Sequence, residues 1–320
     1  MNTPDNYENR LMVKATWLHY KENLTQGEIA ARLGISRVKV NRLIKLARQM
    51  GIVEINIKTP IPTYNEIEEQ LVKLFNLKEA IVLMGAESNE SLYEVIAQGT
   101  ADWLVNHIKP NIDIGISLGR TLSHLPEAHF SSTDISCNFV DIIGGISQFD
   151  TGFQSYNVTS RMAERLHGQA FHLNAPTVVS SPKALKFIKK EPFIANVLDR
   201  ARNCQIILLS CGPVDESALL YIHKYITKQE LEQLKKDGAI GDVMTYFMDI
   251  NGEHIISPIE NRIVSLTIDE IRKIPLRVLV VCGDEKVPIL SVALKKEYFN
   301  VLITDLRTAK KVLELVQKND

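Results

Sequence analysis

Apolar positions in the first fifty residues recur at helical spacing, whereas beyond residue 75 they gather into short unbroken runs. A first predicted helix, 9–22, places Leu11, Ala15, Trp17 and Leu18 where they can cover later helices. Thr25 is a good N-cap for a short second helix, whose Ile29 and Leu33 make one apolar face. Gly34 supplies the positive φ of a tight interhelical turn, and Ile35 pins that turn to the core. Ser36 caps a third helix with Val40, Leu43, Ile44 and Ala47 on one stripe. This order of elements predicts a helix-turn-helix.

Gly51 ends the helical pattern, and Ile52-Val-Glu-Ile-Asn-Ile-Lys58 alternates as a short strand, half of a winged hairpin. The two prolines of Thr59-Pro-Ile-Pro-Thr63 mark a linker. The expected division is therefore a small α (winged) helix-turn-helix domain, 1–58, and a larger domain, 59–320. In the larger part, helix Asn65–Phe75 leads to the run Ala80–Met84 and a long helix, Glu90–Ile108. Ile112–Ser117, Asn138–Ile143, Pro176–Val179, Ile206–Leu209, Val278–Val281 and Val301–Thr304 follow, mostly separated by helical patterns. Apolar runs this short between helices predict an α/β domain whose mainly parallel sheet is covered on both faces. Asp249-Ile-Asn-Gly-Glu253 reads as a tight turn between two short strands.

Charge sharpens the division. Residues 1–58 hold ten Lys/Arg against five Asp/Glu, while the other residues hold 27 against 33. Such a split fits a nucleic-acid module joined to a soluble domain. From Ser36 to Arg48 there are five basic residues and no acidic one. The side of the third helix opposite its apolar stripe carries Val38, Asn41, Arg42 and Lys45, flanked by Arg37 and Lys39. One-signed exposed charge releases counterions from DNA, so the expected partner is double-stranded operator DNA. Gln26, Ser36, Arg37, Lys39, Asn41, Arg42 and Lys45 are the candidate contacts. Tyr20, with His19 beside it, either reaches a phosphate or packs in the core.

The polar first ten residues have no signal-peptide core, and no apolar run nears the ~20 residues that span a bilayer. No membrane role is expected. Four cysteines without CxxC pairing fit reduced cytoplasmic thiols, and eight histidines in no ligand spacing give no metal site and no cofactor.

Ligands of open α/β sheets bind at the carboxyl ends of strands. Four such ends here are glycine-rich. Ile112–Ser117 runs into Leu118-Gly119-Arg120-Thr121, where hydroxyls, backbone N–H groups, Arg120 and a following helix N-terminus could surround an anion. The others end in Gly144-Gly145, Ser210-Cys-Gly212 and Cys282-Gly-Asp-Glu-Lys286. One alone would be turn chemistry, but four in one sheet point to a polar small-molecule cleft. Asp242 either caps a helix over Val243–Phe247 or joins that cleft. Lys286 is either a solvated lysine or the cleft's cation.

The whole chain resembles the SorC family of bacterial sugar-responsive transcription regulators. The resemblance rests on Leu24-Thr-Gln-Gly-Glu-Ile-Ala-Ala-Arg-Leu-Gly-Ile-Ser-Arg37, Ile114-Gly-Ile-Ser-Leu-Gly-Arg-Thr121, Ile143-Gly-Gly-Ile-Ser147, Gly238-Ala-Ile-Gly-Asp-Val243 and Gly283-Asp-Glu-Lys286. It implies a phosphosugar-isomerase-like large domain that senses a sugar, polyol or sugar phosphate, in a dimer or tetramer. By motif position, Ser117, Gly119, Arg120, Thr121, Gly144 and Gly145 would bind the phosphate or sugar terminus. Asp242 would accept hydrogen bonds from ligand hydroxyls, and Lys286 would supply charge from the facing loop. Gly212 closes another of the strand-end loops. Leu118 stands where the family often has tryptophan, and Cys282 replaces the first glycine of a common pair. Ile143 stands where some members have a lysine that bonds aldehydes, so that covalent mode is not expected here.

The alternative is a sugar-phosphate-processing enzyme, isomerase- or deaminase-like, with an appended DNA-binding domain. Gly115-Ile-Ser-Leu-Gly119 matches the G-x-S-x-G nucleophile pattern. No paired carboxylates or Cys/His pair form a recognisable catalytic set, so no catalytic residue is assigned.

Overall fold

The computed structural model describes residues 6–53, 61–86, 88–131, 135–145 and 155–317. The chain divides after Pro60 into two compact units.

The first unit is three helices: α1 (Asn6–Tyr20), α2 (Gln26–Leu33) and α3 (Arg37–Gln49). Thr25 and Glu28 form a reciprocal capping box at the start of α2, and Gly34 ends it at φ 66°. Ser36 then caps α3 by accepting from the Lys39 N–H. Leu11, Met12, Ala15, Leu18, Ile29, Val40, Leu43, Ile44 and Ala47 form one buried cluster, the stripe the spacing predicts. Trp17 is exposed and Met12 takes the buried place instead. Ile52 and Val53 are in no strand, and the rest of the expected wing strand, 54–58, lies outside the described residues.

The second unit opens with α4 (Ile61–Phe75). The expected linker 59–63 therefore overlaps a helix. Pro62 is tolerated there because a first-turn N–H has no partner within the helix. Then come β1 (Glu79–Leu83), α5 (Asn89–His107), β2 (Asp113–Ile116), α6 (Arg120–Ser123), β3 (Asn138–Asp141), α7 (Ser155–Arg165) and β4 (Ala170–Phe171). Next are α8 (Pro182–Ile188), α9 (Pro192–Arg202), β5 (Ile206–Leu209), β6 (Cys211–Pro213), α10 (Leu219–Ile222) and α11 (Lys228–Lys236). The chain continues through β7 (Gly241–Val243), β8 (Tyr246–Met248), β9 (His254–Ile255), α12 (Ile268–Ile271), β10 (Leu276–Val280), α13 (Val287–Lys295), β11 (Val301–Asp305) and α14 (Leu306–Gln317).

Seven strands form a parallel sheet in the order β1-β11-β10-β5-β2-β3-β4. Each face is covered by a hydrophobic cluster, and β5 shows how. Ile206 and Leu208 enter one cluster while Ile207 and Leu209 enter the other. That alternation is why these strands read as unbroken apolar runs.

Two expectations fail here. Pro176–Val179 is not a strand: Val178 makes only an isolated bridge to Ile263, and the strand beyond β3 is β4. A proline lacks the N–H that a ladder requires. The region around Asp242 is not a helix either. β6 to β9 form a four-stranded antiparallel sheet, and Asp242 lies within β7. Asp249–Glu253 is the turn between β8 and β9, as the sequence indicates.

Candidate effector cleft and nucleic-acid interface

The single-sign face of α3 stands in solvent. Ser36, Arg37, Lys39, Asn41, Arg42 and Lys45 are all exposed, and Gln26 is half-buried at the start of α2. The structure adds partners that the sequence did not disclose. An Nη2 N–H of Arg42 donates to Glu8 Oε1 at 2.9 Å, tying α3 to α1. The Arg48 Nε–H donates to the Tyr20 hydroxyl, and its guanidinium lies 5.5 Å from the ring centroid. Tyr20 is half-buried and already holds a cation. An exposed pair such as Arg42–Glu8 contributes little to stability, so a phosphate or base could displace Glu8 at small cost.

In the second unit, a cleft of about 730 Å³, including open solvent at its mouth, lies at the carboxyl ends of β2 and β5. Six of the nine residues expected at an effector site line it: Ser117, Gly119, Arg120, Gly212, Asp242 and Lys286. Three do not. Thr121 is fully buried behind the loop. Gly144 donates its N–H to the Val264 carbonyl at 2.8 Å, and an added Cβ would lie 2.5 Å from the Ala175 carbonyl. Gly145 is buried beside it. Gly144 is therefore glycine because two backbones meet there. The helix after the Ser117 loop, α6, has only four residues, too short to offer the expected dipole.

Lys286 is the unusual group. It is 8% exposed, on a one-turn 3₁₀ helix, Asp284–Lys286, that opens from Gly283 at φ 108°. Among the described residues its ammonium has no hydrogen bond and no ion pair. A lysine held largely out of water gains from an anionic partner, and an anion entering the cleft would supply one. Asp242 faces the same space. Loss of water contact pushes its carboxyl up to about 7, against the Thr245 N–H, which donates to Oδ2 at 2.8 Å. Gly212 leaves room for it, since an added Cβ would sit 2.9 Å from Asp242 Oδ1 and the carboxylate would have to shift. An Nη2 N–H of Arg120 reaches the Ser217 carbonyl at 3.4 Å. Burial pushes the Cys211 thiol up to about 12 and the Cys282 thiol to about 11, so both stay protonated. All four cysteines are free and buried.

Sequence reasoning missed Met244 and Thr245, the two-residue turn joining β7 to β8. Both line the cleft, at φ 52° and 73°. Such turns favour Asn-Gly, so Met-Thr carried no turn signal. Side chains hold it in place: the Ser117 hydroxyl donates to Met244 Sδ at 2.7 Å, and Asp242 accepts from Thr245. The apolar wall of Pro213, Ala218, Leu219 and Leu220 was also missed: Pro213 ends a three-residue strand too short to show a pattern, and the others begin a short helix.

The serine of the G-x-S-x-G segment thus bonds a thioether, not a base. A Ser–His–Asp array does exist elsewhere: Ser160 Oγ lies 3.0 Å from His172 Nε2, whose Nδ1 lies 3.2 Å from Asp141 Oδ2. Asp141 also accepts from the Thr159 hydroxyl at 2.6 Å and the Leu173 N–H at 3.2 Å. None of these residues lines the cleft, and Ser160 sits within α7 rather than on a strained turn. The array pins α7 and the chain after β4 to β3. No group of three or more His, Cys, Asp or Glu that could hold a metal occurs among the described residues.

Comparison with known proteins yields one family model, described as a "Putative sugar-binding domain", which matches residues 60–314. The deoxyribonucleoside regulator of Bacillus subtilis (strain 168) is 26% identical over 307 residues, covering 96% of this chain and 98% of that protein. The transcriptional regulator LsrR of Escherichia coli (strain K12) is 27% identical over 310 residues, covering 96% and 95%. The crystal structure of the full-length sorbitol operon regulator SorC from Klebsiella pneumoniae superposes with TM-score 0.73 at 27% identity, covering 96% of this chain and all of that one.

Proposed function

This chain belongs to the sugar-binding-domain family of SorC-type transcription regulators, sugar-responsive proteins that bind DNA, and from that premise we propose how it works. The unit built on α1 to α3 holds an operator through Gln26, Ser36, Arg37, Lys39, Asn41, Arg42 and Lys45, with Tyr20 as a backbone contact. The cleft of the second unit takes a phosphorylated sugar. Lys286 meets the phosphate with Arg120 at the rim. Asp242 and Ser117 meet the hydroxyls, and Gly119 and Gly212 leave room for them.

One observation carries the reading: Lys286, largely buried and without a hydrogen bond or ion pair among the described residues, lines a cleft that also holds a carboxylate and hydroxyls. A neutral sugar would leave that charge uncompensated, whereas a phosphate would bond it. The same cleft offers no activated nucleophile, since Ser117 is bonded to Met244 and the nearby thiols are protonated. This supports a binder rather than a catalyst.

The protein would act as a homodimer or a tetramer in the cytoplasm, with two reader units on half-sites about one or more helical turns apart. No helix among the described residues is long and apolar enough to cross a membrane. The effector shifts the population between subunit arrangements through its differential affinity for them.

The test is a thermal-shift panel of sugars and sugar phosphates on the full chain, followed by titration of flanking promoter DNA with each hit. The expected result is stabilisation by a sugar phosphate but not by its dephosphorylated parent, with the same compound changing DNA affinity. Stabilisation by the neutral sugar alone would remove Lys286 from the phosphate role. Failure of any hit to change DNA affinity would remove the gating.

A further inference from the structure

The recognition face of α3 contains one residue that charge does not explain. Val38, the second residue of the helix, is 80% exposed. It stands at the centre of the face that carries Asn41, Arg42 and Lys45, opposite the buried stripe of Val40, Leu43, Ile44 and Ala47. A β-branched residue lowers helix propensity, and among the described residues it joins no hydrophobic cluster. Two of the surrounding polar groups already have partners within the unit. Ser36 Oγ accepts from the Lys39 N–H, and Arg42 is paired to Glu8. In helix-turn-helix proteins the amino-terminal residues of the recognition helix meet base edges in the major groove. The apolar group displayed on the floor of that groove is the thymine C5-methyl.

Resting on the DNA-binding reading above, we propose that Val38 is a specificity-determining residue that packs its methyl groups on the C5-methyl of one thymine in each operator half-site. Lys45 and Arg37 contact the phosphates on either side, so affinity comes from the charges and part of the choice of base comes from a side chain with no charge. The contact removes roughly one methyl group's worth of apolar surface from water. That corresponds to about fourfold in affinity per half-site, and to about fifteenfold for two half-sites.

The experiment starts by selecting operator DNA from a random pool with the full chain. Each thymine of the selected site is then replaced by deoxyuridine, which lacks only the methyl group, and affinities are measured for wild type and for Val38→Ala. The wild type should lose about fourfold at one thymine per half-site. Val38→Ala should bind the thymine site more weakly and show no loss at that deoxyuridine. Val38→Ile should keep the sensitivity. Because the side chain is exposed, neither variant should melt below wild type, and Val38→Ala, the better helix former, should melt at or slightly above it. Equal deoxyuridine effects in wild type and Val38→Ala at every thymine would overturn the assignment while leaving DNA binding intact. If selection enriched no sequence at all, the DNA-binding reading would fall, and this inference with it.

Discussion

The reader unit and the effector cleft both rely on basic side chains, but they hold them in opposite ways. On α3 the cations stand in water, where each is inexpensive, and two have acquired partners, Glu8 for Arg42 and the Tyr20 hydroxyl for Arg48. In the cleft Lys286 is largely buried and, among the described residues, has no ion pair or hydrogen bond. The first arrangement suits a large polyanion that must be gripped and released, since many weak screened contacts sum. The second suits a small anion that must be distinguished from a neutral analogue, since one desolvated contact carries most of the difference.

If the two units are as independent as their separate cores imply, damage to one should spare the other. Leu43→Ala, in the centre of the small cluster, should cost about 2–5 kcal/mol. Few cores of that size exceed this margin. Circular dichroism melts should show the helical unit lost while the α/β unit melts as before, with DNA binding abolished and effector stabilisation kept. A single shifted transition for the whole chain would break the comparison.

Lys286→Met should act in the reverse direction. The free protein should be at least as stable as wild type, because an unpaired ammonium is removed. Affinity for a sugar phosphate should fall by about 2–5 kcal/mol, the cost of stripping one side of a desolvated ion pair. Calorimetry checks this, and unchanged affinity would return Lys286 to the role of a structural lysine.

Arg42→Ala should weaken specific DNA binding by about 1–3 kcal/mol and relax the preference at one base pair. A uniform loss on all sequences would make Arg42 a phosphate contact. The smallest effect concerns pH. Asp242 has its carboxyl raised from the usual carboxylate range to about 7, so its protonated form favours the folded state. That contribution is complete in acid and is lost as pH rises through 7. Between pH 6 and 8 the effector-free α/β unit should lose roughly 1 kcal/mol, and Asp242→Asn should flatten the slope. Equal slopes in both proteins would place Asp242 in water.

Much of this was legible from the chain. The helix-turn-helix follows from Thr25, Gly34, Ser36 and a stripe at helical spacing, all local signals. The parallel sheet follows from apolar runs buried on both faces. The antiparallel sheet was mostly hidden, because Cys211–Pro213 and Gly241–Val243 are too short and too rich in glycine and proline to show alternation. Four glycine-rich strand ends were visible, yet Gly144 serves the close approach of two backbones and not the cleft. Short-range pattern cannot separate those uses, because the difference lies in what the distant chain brings alongside. For the same reason Met244 and Thr245 carried no signal: their left-handed turn is imposed by Ser117 and Asp242 rather than preferred by their own side chains.

The missing side chain at Gly212 limits how this protein could change its guest. Any bulkier residue there would displace the end of an aspartate that the Thr245 amide also holds, so substitution in that corner of the chamber would move the carboxylate along with the guest. New chemical preferences would arise more readily at two other lining positions, the half-buried Leu118 and the exposed Ser217, where a swap leaves the Asp242 carboxylate in place. A lineage diversifying its inducers would be expected to vary at these two positions while position 212 stays fixed.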